Sequence, residues 1–176
     1  MADKAIDVLV VEDTMTQALI LQHLLESHQF KVFVARSGSK ALEYLKTSRP
    51  DIILSDVNMP EMDGYELCRI VKSDLAMKEI PFVLLSSFHD PKDLVSVLEC
   101  QADNFLLKRF DATYLVARVN DILATSRLRK SDATLHNAAV FGGVQHTIAG
   151  TPLQMMDMVL SAFSTVTHVL PLLKED

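Results

Sequence analysis

Five short apolar runs, each followed by an amphipathic stretch, constrain the fold of this 176-residue sequence more than any other feature. The runs are rich in β-branched side chains and too short for helices, so they predict strands. The predicted strands are Val8–Val11, Phe30–Ala35, Ile52–Leu54, Phe82–Leu85 and Phe105–Leu107. The first predicted helix follows Thr14 and extends through Leu25. The others run from Ser37 to Leu45, Tyr65 to Val71 and Leu94 to Cys100, and a last one opens at Asp111.

Alternating strands and helices predict an α/β fold in which helices cover both faces of a parallel sheet. Strands that are apolar throughout fit this expectation, because such a sheet is buried on both sides. Ligands of open α/β sheets bind at the carboxyl ends of the strands. We therefore expect the chemistry of this chain to follow Val11, Leu54, Leu85 and Leu107.

Polar residues that suit phosphoryl chemistry stand at those four strand ends: Glu12, Asp13, Asp56, Ser86 and Lys108. Three carboxylates in one pocket repel one another unless a cation joins them, and hard oxygen ligands suit Mg²⁺. A carboxylate can act as the nucleophile, while a lysine and a hydroxyl stabilise the transferred phosphoryl group. Each residue alone is most simply a helix cap or a surface charge. Their joint occurrence favours a site.

Four segments of the chain carry a resemblance to a known family. They are Val10-Val11-Glu12-Asp13, residues 50–64 (PDIILSDVNMPEMDG), residues 80–87 (IPFVLLSS) and Phe105-Leu106-Leu107-Lys108. Residues 6 to about 125 resemble the receiver domain of two-component response regulators. The resemblance implies a five-stranded parallel sheet in the order 2-1-3-4-5, flanked by helices.

The resemblance also implies a role for each acidic residue. Asp56 would accept the phosphoryl group from a histidine of a partner protein. Asp13, Asp56 and the backbone carbonyl of Asn58 would bind Mg²⁺, and Glu12 would act mainly through a water molecule. The family thereby implies one cofactor, Mg²⁺, at this edge of the sheet.

The same resemblance implies phosphoryl-binding roles for Lys108 and Ser86 and switching roles for Ser86 and Phe105. Lys108 would bind one phosphoryl oxygen, Ser86 would move to bind another, and Phe105 would change rotamer as Ser86 moves. A phosphoryl group adds up to about two negative charges at one spot and favours a minor conformation by its differential interaction energy. The expected output is a changed protein-interaction surface.

Three positions depart from the family pattern. Arg109 follows Lys108 where the family has a proline after a cis peptide, and a cis bond before another residue costs about 3 kcal/mol. Gln101 stands where a glycine usually ends the fourth helix, so a left-handed conformation there would be strained. Phe88 is bulky and apolar, and we hypothesise that it hinders the water that hydrolyses the acyl phosphate.

The sequence divides into a receiver domain, residues 1–125, and a C-terminal extension, residues 126–176. Residues 125–132 predict either a hinge or a continuation of the last helix. Val140 to Ile148 predicts a hairpin that turns at Gly142-Gly143, and Thr151-Pro152 predicts the start of a helix with a broad apolar face. That face would pack on the receiver or on a second chain, so the extension is a candidate dimerisation or docking element.

Composition excludes several classes of protein. Lys and Arg total 17 against 23 Asp and Glu, a net charge of −6, which disfavours binding to nucleic acid. Two cysteines give no disulfide framework, and the N-terminus lacks the pattern of a signal peptide. Asp157 and His168 argue against a membrane span in the extension. We expect a cytoplasmic protein.

The preferred interpretation is a phosphoacceptor response regulator that catalyses at most its own phosphorylation and dephosphorylation. Its expected partners are a histidine kinase or phosphotransfer protein, a downstream protein target, and a second copy of the chain bound through the extension. The tail resembles, more weakly, segments that follow receivers in some multidomain sensor kinases. One alternative is therefore an N-terminal receiver fragment of a larger hybrid sensor kinase. Another is an adaptor that never carries phosphate.

Overall fold

A computed structural model describes residues 5–87, 96–97, 99–108, 111–128, 135–141 and 144–150. Seven strands lie in these ranges: β1 (Asp7–Val11), β2 (Lys31–Ala35), β3 (Ile52–Asp56), β4 (Phe82–Ser86), β5 (Asn104–Leu107), β6 (Leu135–Phe141) and β7 (Val144–Gly150). The helices are α1 (Met15–Ser27), α2 (Gly38–Leu45), α3 (Gly64–Ser73) and α4 (Ala112–Leu128). Residues 96, 97 and 99 are also helical, within the range predicted for a helix between β4 and β5.

The first five strands form one parallel sheet in the order β2-β1-β3-β4-β5. This confirms the α/β class, the parallel sheet and the strand order. The register places Asp56 opposite Leu85, and Ser86 opposite Leu107. The carboxyl ends of β3, β4 and β5 therefore lie side by side.

Helices cover both faces of the sheet, as the fully apolar strands predict. One face packs on α2 and α3, in a buried cluster that includes Leu9, Ile53, Leu84, Leu67 and Val71. The opposite face packs on α1 and α4, in a cluster that includes Val10, Leu54, Leu85, Leu25 and Leu115. A closely packed hydrophobic layer covers each face of the strands, so the sheet is a rigid support for the loops at its carboxyl edge.

Short polar side chains cap the N-termini of three of the described helices. The Ser37 hydroxyl accepts a hydrogen bond from the backbone N–H of Lys40 at 3.2 Å. Asp63 accepts one from the N–H of Glu66 at 2.7 Å, and Asp111 accepts one from Tyr114 at 2.7 Å. These N-caps satisfy backbone donors that have no partner within the helix. They explain why α2, α3 and α4 begin where they do.

The strands run slightly further than the apolar runs that predict them. Asp56 and Ser86 are the last residues of β3 and β4, not the first residues of the following loops. The pairing continues because backbone groups do not depend on side-chain polarity, and the N–H of Val57 still donates to the carbonyl of Leu85 at 3.1 Å. The extra residues place both side chains on the ordered sheet.

Gln101 adopts the left-handed conformation that the family pattern gives to glycine, with a φ of 61°. A residue with a Cβ is strained there by about 1 kcal/mol or more. The other two departures from the family pattern, Phe88 and Arg109, lie outside the described residues, and so does the geometry of the bond after Lys108.

Beyond the sheet, β6 and β7 pair antiparallel, with Phe141 opposite Val144. The hairpin predicted in the extension is therefore present, and its strands are longer than Val140–Ile148 because pairing extends out to Leu135 and Gly150. Helix α4 runs to Leu128, so the residues just after position 125 continue the helix. The Gly142-Gly143 turn and the helix predicted from Thr151-Pro152 are not among the described residues. None of the described helices is both long and apolar enough to cross a bilayer.

Candidate functional site

Backbone hydrogen bonds bring the residues after four strands to one edge of the sheet. The N–H of Lys108 donates to the carbonyl of Ser86 at 2.8 Å, which joins the ends of β4 and β5. The N–H of Glu12 donates to the carbonyl of Ala35 at 3.0 Å, which joins the ends of β1 and β2. Residues far apart in sequence are therefore placed by the sheet itself, as the strand-end rule predicts.

Glu12, Asp13 and Asp56 form an acidic cluster at this edge. Each offers a carboxylate oxygen, and these oxygens all lie within 4.8 Å of one another. Glu12 is 0% exposed and Asp56 is 5% exposed, while Asp13 is half-buried. Buried like charges at this spacing are costly to hold ionised unless cations neutralise them.

Lys108 supplies one positive charge to the cluster. Its ammonium Nζ lies 2.8 Å from Asp56 Oδ1 and 2.9 Å from Glu12 Oε2. A third acceptor, Gln17 Oε1 on α1, lies 2.7 Å away. The ammonium has three protons, and these three oxygens can take all of them.

Three carboxylates around one ammonium leave an excess of negative charge, and the donor set consists of hard oxygens. Such a set fits a divalent cation that prefers oxygen and keeps several waters, as Mg²⁺ does. The predicted carbonyl ligand belongs to Asn58, which is exposed in the loop that follows β3. Its place two residues after Asp56 is compatible with that role, which rests on the resemblance.

The two predicted switch residues, Ser86 and Phe105, are both buried, at 3% and 4% exposed. Phe105 pairs with Leu84 and shares its hydrophobic cluster. Because side chains alternate along a strand, Ser86 lies on the same face of the sheet as Leu84 and therefore as Phe105. The structure thus places both predicted switch residues on one face, diagonally across the β4–β5 pair.

Gly64 closes the loop that follows the phosphoacceptor candidate. Its N–H donates to the carbonyl of Val57 at 2.9 Å. A Cβ at this position would lie 2.3 Å from the backbone oxygen of Asp56, closer than packed atoms approach. Glycine is required here because α3 begins directly against the backbone of Asp56.

Two residues near the site were not predicted from the sequence. The guanidinium of Arg36 donates to the backbone carbonyls of Glu12, at 3.1 Å, and of Asp13, so it ties the end of β2 to the acidic turn. Arg36 directly follows β2, and the strand-end rule extended to that strand identifies it. Gln17 lies within α1, where no strand-end signal points to it.

The two cysteines lie in the core, Cys68 on the buried side of α3 and Cys100 packed in the same cluster. Cys68 donates to the carbonyl of Cys100 at 3.3 Å, and Cys100 donates to the carbonyl of Val97 at 3.2 Å. Burial raises the pKa of the Cys68 thiol well above its ordinary value. A buried thiol that stays protonated is a poor nucleophile, so Cys68 acts here as a packing residue.

Comparisons with known proteins agree with this geometry. The family model of the response regulator receiver domain matches residues 8–120. The response regulator PleD of Caulobacter vibrioides is 34% identical over 147 residues, which cover 81% of this chain and 32% of PleD. The DNA-binding response regulator MtrA of Mycobacterium tuberculosis is 35% identical over 125 residues, 71% of this chain and 51% of MtrA. The chain thus spans about a third to a half of these relatives.

Solved structures show the same fold. The receiver domain of a signal transduction histidine kinase from Syntrophus aciditrophicus is 41% identical with a TM-score of 0.67, covering 73% of this chain and 98% of that one. The chemotaxis response regulator CheY4 of Vibrio cholerae is 28% identical with a TM-score of 0.64, covering 68% and 99% respectively. Because the family model spans residues 8–120 and these relatives agree with it in sequence and in fold, the chain belongs to the family of response regulator receiver domains.

Proposed function

We propose that this receiver accepts a phosphoryl group on Asp56 from a histidine kinase or phosphotransfer protein and thereby switches a protein-interaction surface. The observation that carries the proposal is the contact of the buried Asp56 carboxylate with Lys108 at 2.8 Å, inside a cluster that also holds Glu12 and Asp13. A nucleophilic carboxylate, a fixed ammonium and additional oxygen ligands are the parts that phosphoryl transfer needs.

The proposed step moves one phosphoryl group between two proteins. A carboxylate oxygen of Asp56 attacks the phosphorus of the phosphohistidine, and the P–N bond breaks as the P–O bond forms. The imidazole nitrogen keeps the electron pair of the broken bond and takes up a proton. Lys108 stabilises the negative charge on the transferring oxygens, because its ammonium is already held beside Asp56.

Asp13, Asp56 and the carbonyl of Asn58 would hold Mg²⁺, with Glu12 acting mainly through a water. When bound, the ion neutralises charge on the carboxylates and on the phosphoryl oxygens. Glu12 is fully buried and its Oε1 accepts the N–H of Thr14 at 3.1 Å. That bond fixes the turn on which Asp13 also lies.

The proposed switch couples Ser86 to Phe105. A new phosphoryl oxygen attracts the Ser86 hydroxyl, and the space that Ser86 vacates admits a different rotamer of Phe105. Both side chains are buried on one face of the sheet, which favours a coupled movement over independent ones. This coupled movement would change the protein surface that a downstream protein target binds.

A protein is a better phosphodonor for this site than a metabolite, because exposed apolar side chains lie on the helix that contacts Lys108. Met15, Leu19 and Ile20 on α1 are 61%, 55% and 59% exposed. Of these, Ile20 lines the same cavity as Gln17 and Lys108. Exposed apolar side chains beside a polar site are typical of a protein contact.

Acid-labile phosphate tests the proposal. The protein is incubated with Mg²⁺ and phosphoramidate, whose P–N bond resembles that of phosphohistidine, and bound phosphate is measured before and after acid treatment. We expect native protein to be labelled and Asp56→Asn to lose the label. Asp51→Asn is the matched control, because Asp51 is exposed and lies at the other end of β3. Equal labelling of native protein and Asp56→Asn would contradict the proposal.

Two rivals make different predictions. A non-phosphorylated adaptor would take no label, and its elution in size exclusion would not respond to the phosphate mimic beryllofluoride. A receiver that is part of a larger signalling protein would take label but would be encoded within a longer reading frame. The match to only 32% of the length of PleD favours this alternative. We propose the cytoplasm as its location, no nucleic-acid ligand, and no catalysis beyond its own phosphorylation and dephosphorylation.

The extension, residues 126–176, is proposed as a dimerisation or docking element. A hairpin of two strands is marginal by itself in water, so β6 and β7 favour a covering partner. Size exclusion of the full chain, compared with residues 1–128, measures this directly. A dimer that persists without residues 129–176 would assign the contact to the receiver instead.

A further inference from the structure

Lys108 makes a contact that the proposed phosphoacceptor role does not account for. Two of its three acceptors, Glu12 and Asp56, belong to the acidic cluster, but the third is the neutral amide oxygen of Gln17. At 2.7 Å this is the shortest of the three distances. A neutral acceptor adds no charge to the cluster, so its effect is on where the ammonium sits.

We propose that Gln17 is a positioning residue that holds the Lys108 ammonium against Asp56 and so sets the rate of phosphoryl acceptance. The inference rests on the proposed function of Asp56 and names a determinant of that function outside the acidic cluster. Gln17 lies in the first turn of α1, which is packed on the sheet, so its amide is carried by a rigid element.

The space around Lys108 explains why it needs holding. A cavity of about 220 Å³ lies beside its side chain, lined by Gln17, Ile20, Leu21, Leu85 and Lys108 itself. A lysine has four rotatable bonds and many rotamers, and this cavity gives its stem room to turn away from Asp56. Gln17 prevents this movement by accepting a hydrogen bond from the third ammonium N–H.

The contact also fits the phosphorylated state. Lys108 must then donate to a phosphoryl oxygen, because Asp56 has become an acyl phosphate, while the Glu12 carboxylate is unchanged. Gln17 is uncharged and does not react, so its bond to the ammonium can persist through the step. It would keep the ammonium in place while the acceptor at Asp56 changes from a carboxylate to a phosphoryl oxygen.

The test compares two glutamines on the same helix. Gln17→Met keeps the length of the side chain and removes the oxygen acceptor. Gln22→Met makes the same change on α1, where Gln22 donates to Glu26 at 2.9 Å on the exposed surface and does not contact Lys108. Labelling by phosphoramidate with Mg²⁺ is measured over a range of donor concentrations, which separates the maximal rate from the half-saturating concentration.

We expect Gln17→Met to lower the maximal labelling rate about five- to tenfold, the effect of losing one hydrogen bond of ordinary strength at a solvent-exposed position. Gln22→Met should label at the native rate. Gln17→Glu restores an oxygen acceptor and adds a negative charge, so it should recover the native maximal rate and raise the half-saturating concentration of the anionic donor. A merely structural role for Gln17 would not produce this split.

Binding of Mn²⁺, followed by electron paramagnetic resonance, gives a readout that needs no phosphorylation. Gln17→Met should bind Mn²⁺ as tightly as native protein, because Gln17 contacts none of the three carboxylates. Equal rates for Gln17→Met and Gln22→Met would overturn the inference, as would a Gln17→Glu variant that is as slow as Gln17→Met. Absence of labelling in native protein would overturn the proposed function itself, which distinguishes the two failures.

Discussion

Two lysines with similar surroundings lie at opposite ends of the sheet, and they differ in the charge that their partners carry. At the carboxyl edge, Lys108 contacts two carboxylates and an amide. At the other edge, Lys72 contacts one carboxylate, Asp103, and the backbone carbonyls of Lys78 and Ile80 at 3.0 and 2.9 Å. Both ammonium groups have three acceptors, so hydrogen bonding alone does not distinguish a structural lysine from a functional one.

The charge balance does distinguish them. Lys72 and Asp103 neutralise each other, and Asp103 also accepts the backbone N–H of Phe82 at 2.8 Å, so this group is complete and joins α3 to β4 and β5. Around Lys108, the carboxylates of Glu12, Asp13 and Asp56 outnumber the ammonium. A buried group with excess negative charge is stabilised by whatever cation enters it. The first arrangement serves stability, and the second is prepared for a ligand.

The largest effect is expected from Lys72→Met. It leaves the Asp103 carboxylate buried without its countercharge and should lower the free energy of unfolding by about 3–5 kcal/mol. Urea unfolding followed by circular dichroism measures the change. Phosphoramidate labelling of the folded fraction should stay native, because Lys72 is at the far end of the sheet. If Lys72→Met unfolds with the native free energy, the proposed structural role of Lys72 is wrong.

Magnesium should stabilise the native protein by about 2.7 kcal/mol at a concentration one hundred times its dissociation constant. Unfolding in urea with and without Mg²⁺ measures this difference. Asp13→Asn should lose most of it, while Lys72→Met should retain it in full. In Lys108→Met, Mg²⁺ can replace the missing positive charge at the carboxyl edge, so adding Mg²⁺ should restore part of the lost stability. In Lys72→Met the lost charge is at the other edge, and Mg²⁺ should not replace it.

Gly64→Ala should cost about 1–3 kcal/mol, because the new Cβ would meet the backbone oxygen of Asp56 at 2.3 Å. The displaced Asp56 should also be labelled more slowly. Gly38→Ala is the matched control: its Cβ would meet side-chain atoms of Met62, closest at the sulfur, and no backbone atom among its nearest contacts. Equal losses in the two variants would show that the close approach of α3 to Asp56 is not a special constraint.

The smallest effect is expected from Asp63→Ala, which removes the N-cap of α3 beside the site. The lost hydrogen bond to the N–H of Glu66 should cost about 1 kcal/mol. Asp63→Ser should recover most of that loss, since serine is also a good N-cap. Thermal unfolding of the three proteins measures the series, and a destabilised Asp63→Ser would assign the effect to something other than capping.

The sheet and most of the acidic site follow from the sequence because they obey local rules. Short β-branched runs predict the strands, and the residues at their carboxyl ends predict Glu12, Asp13, Asp56, Ser86 and Lys108. The strand order came from the family resemblance, since local patterns do not decide which strands are neighbours. The described structure agrees with both.

Other features could not be predicted because they depend on where side chains meet in space. Gln17 is one polar residue among several on α1, and only the fold places its amide against Lys108. The pairing of Lys72 with Asp103 joins a helix end to a strand start, and neither residue carries a motif. Long side chains reach partners that no spacing rule specifies.

The most direct test of the phosphoacceptor site is to locate the acyl phosphate chemically. Native protein labelled with phosphoramidate and Mg²⁺ is reduced with borohydride, which converts an aspartyl phosphate to homoserine, and the peptides are sequenced by mass spectrometry. We expect homoserine at position 56. Homoserine at Asp13 or Asp51, with Asp56 unchanged, would contradict the assignment of the buried carboxylate beside Lys108.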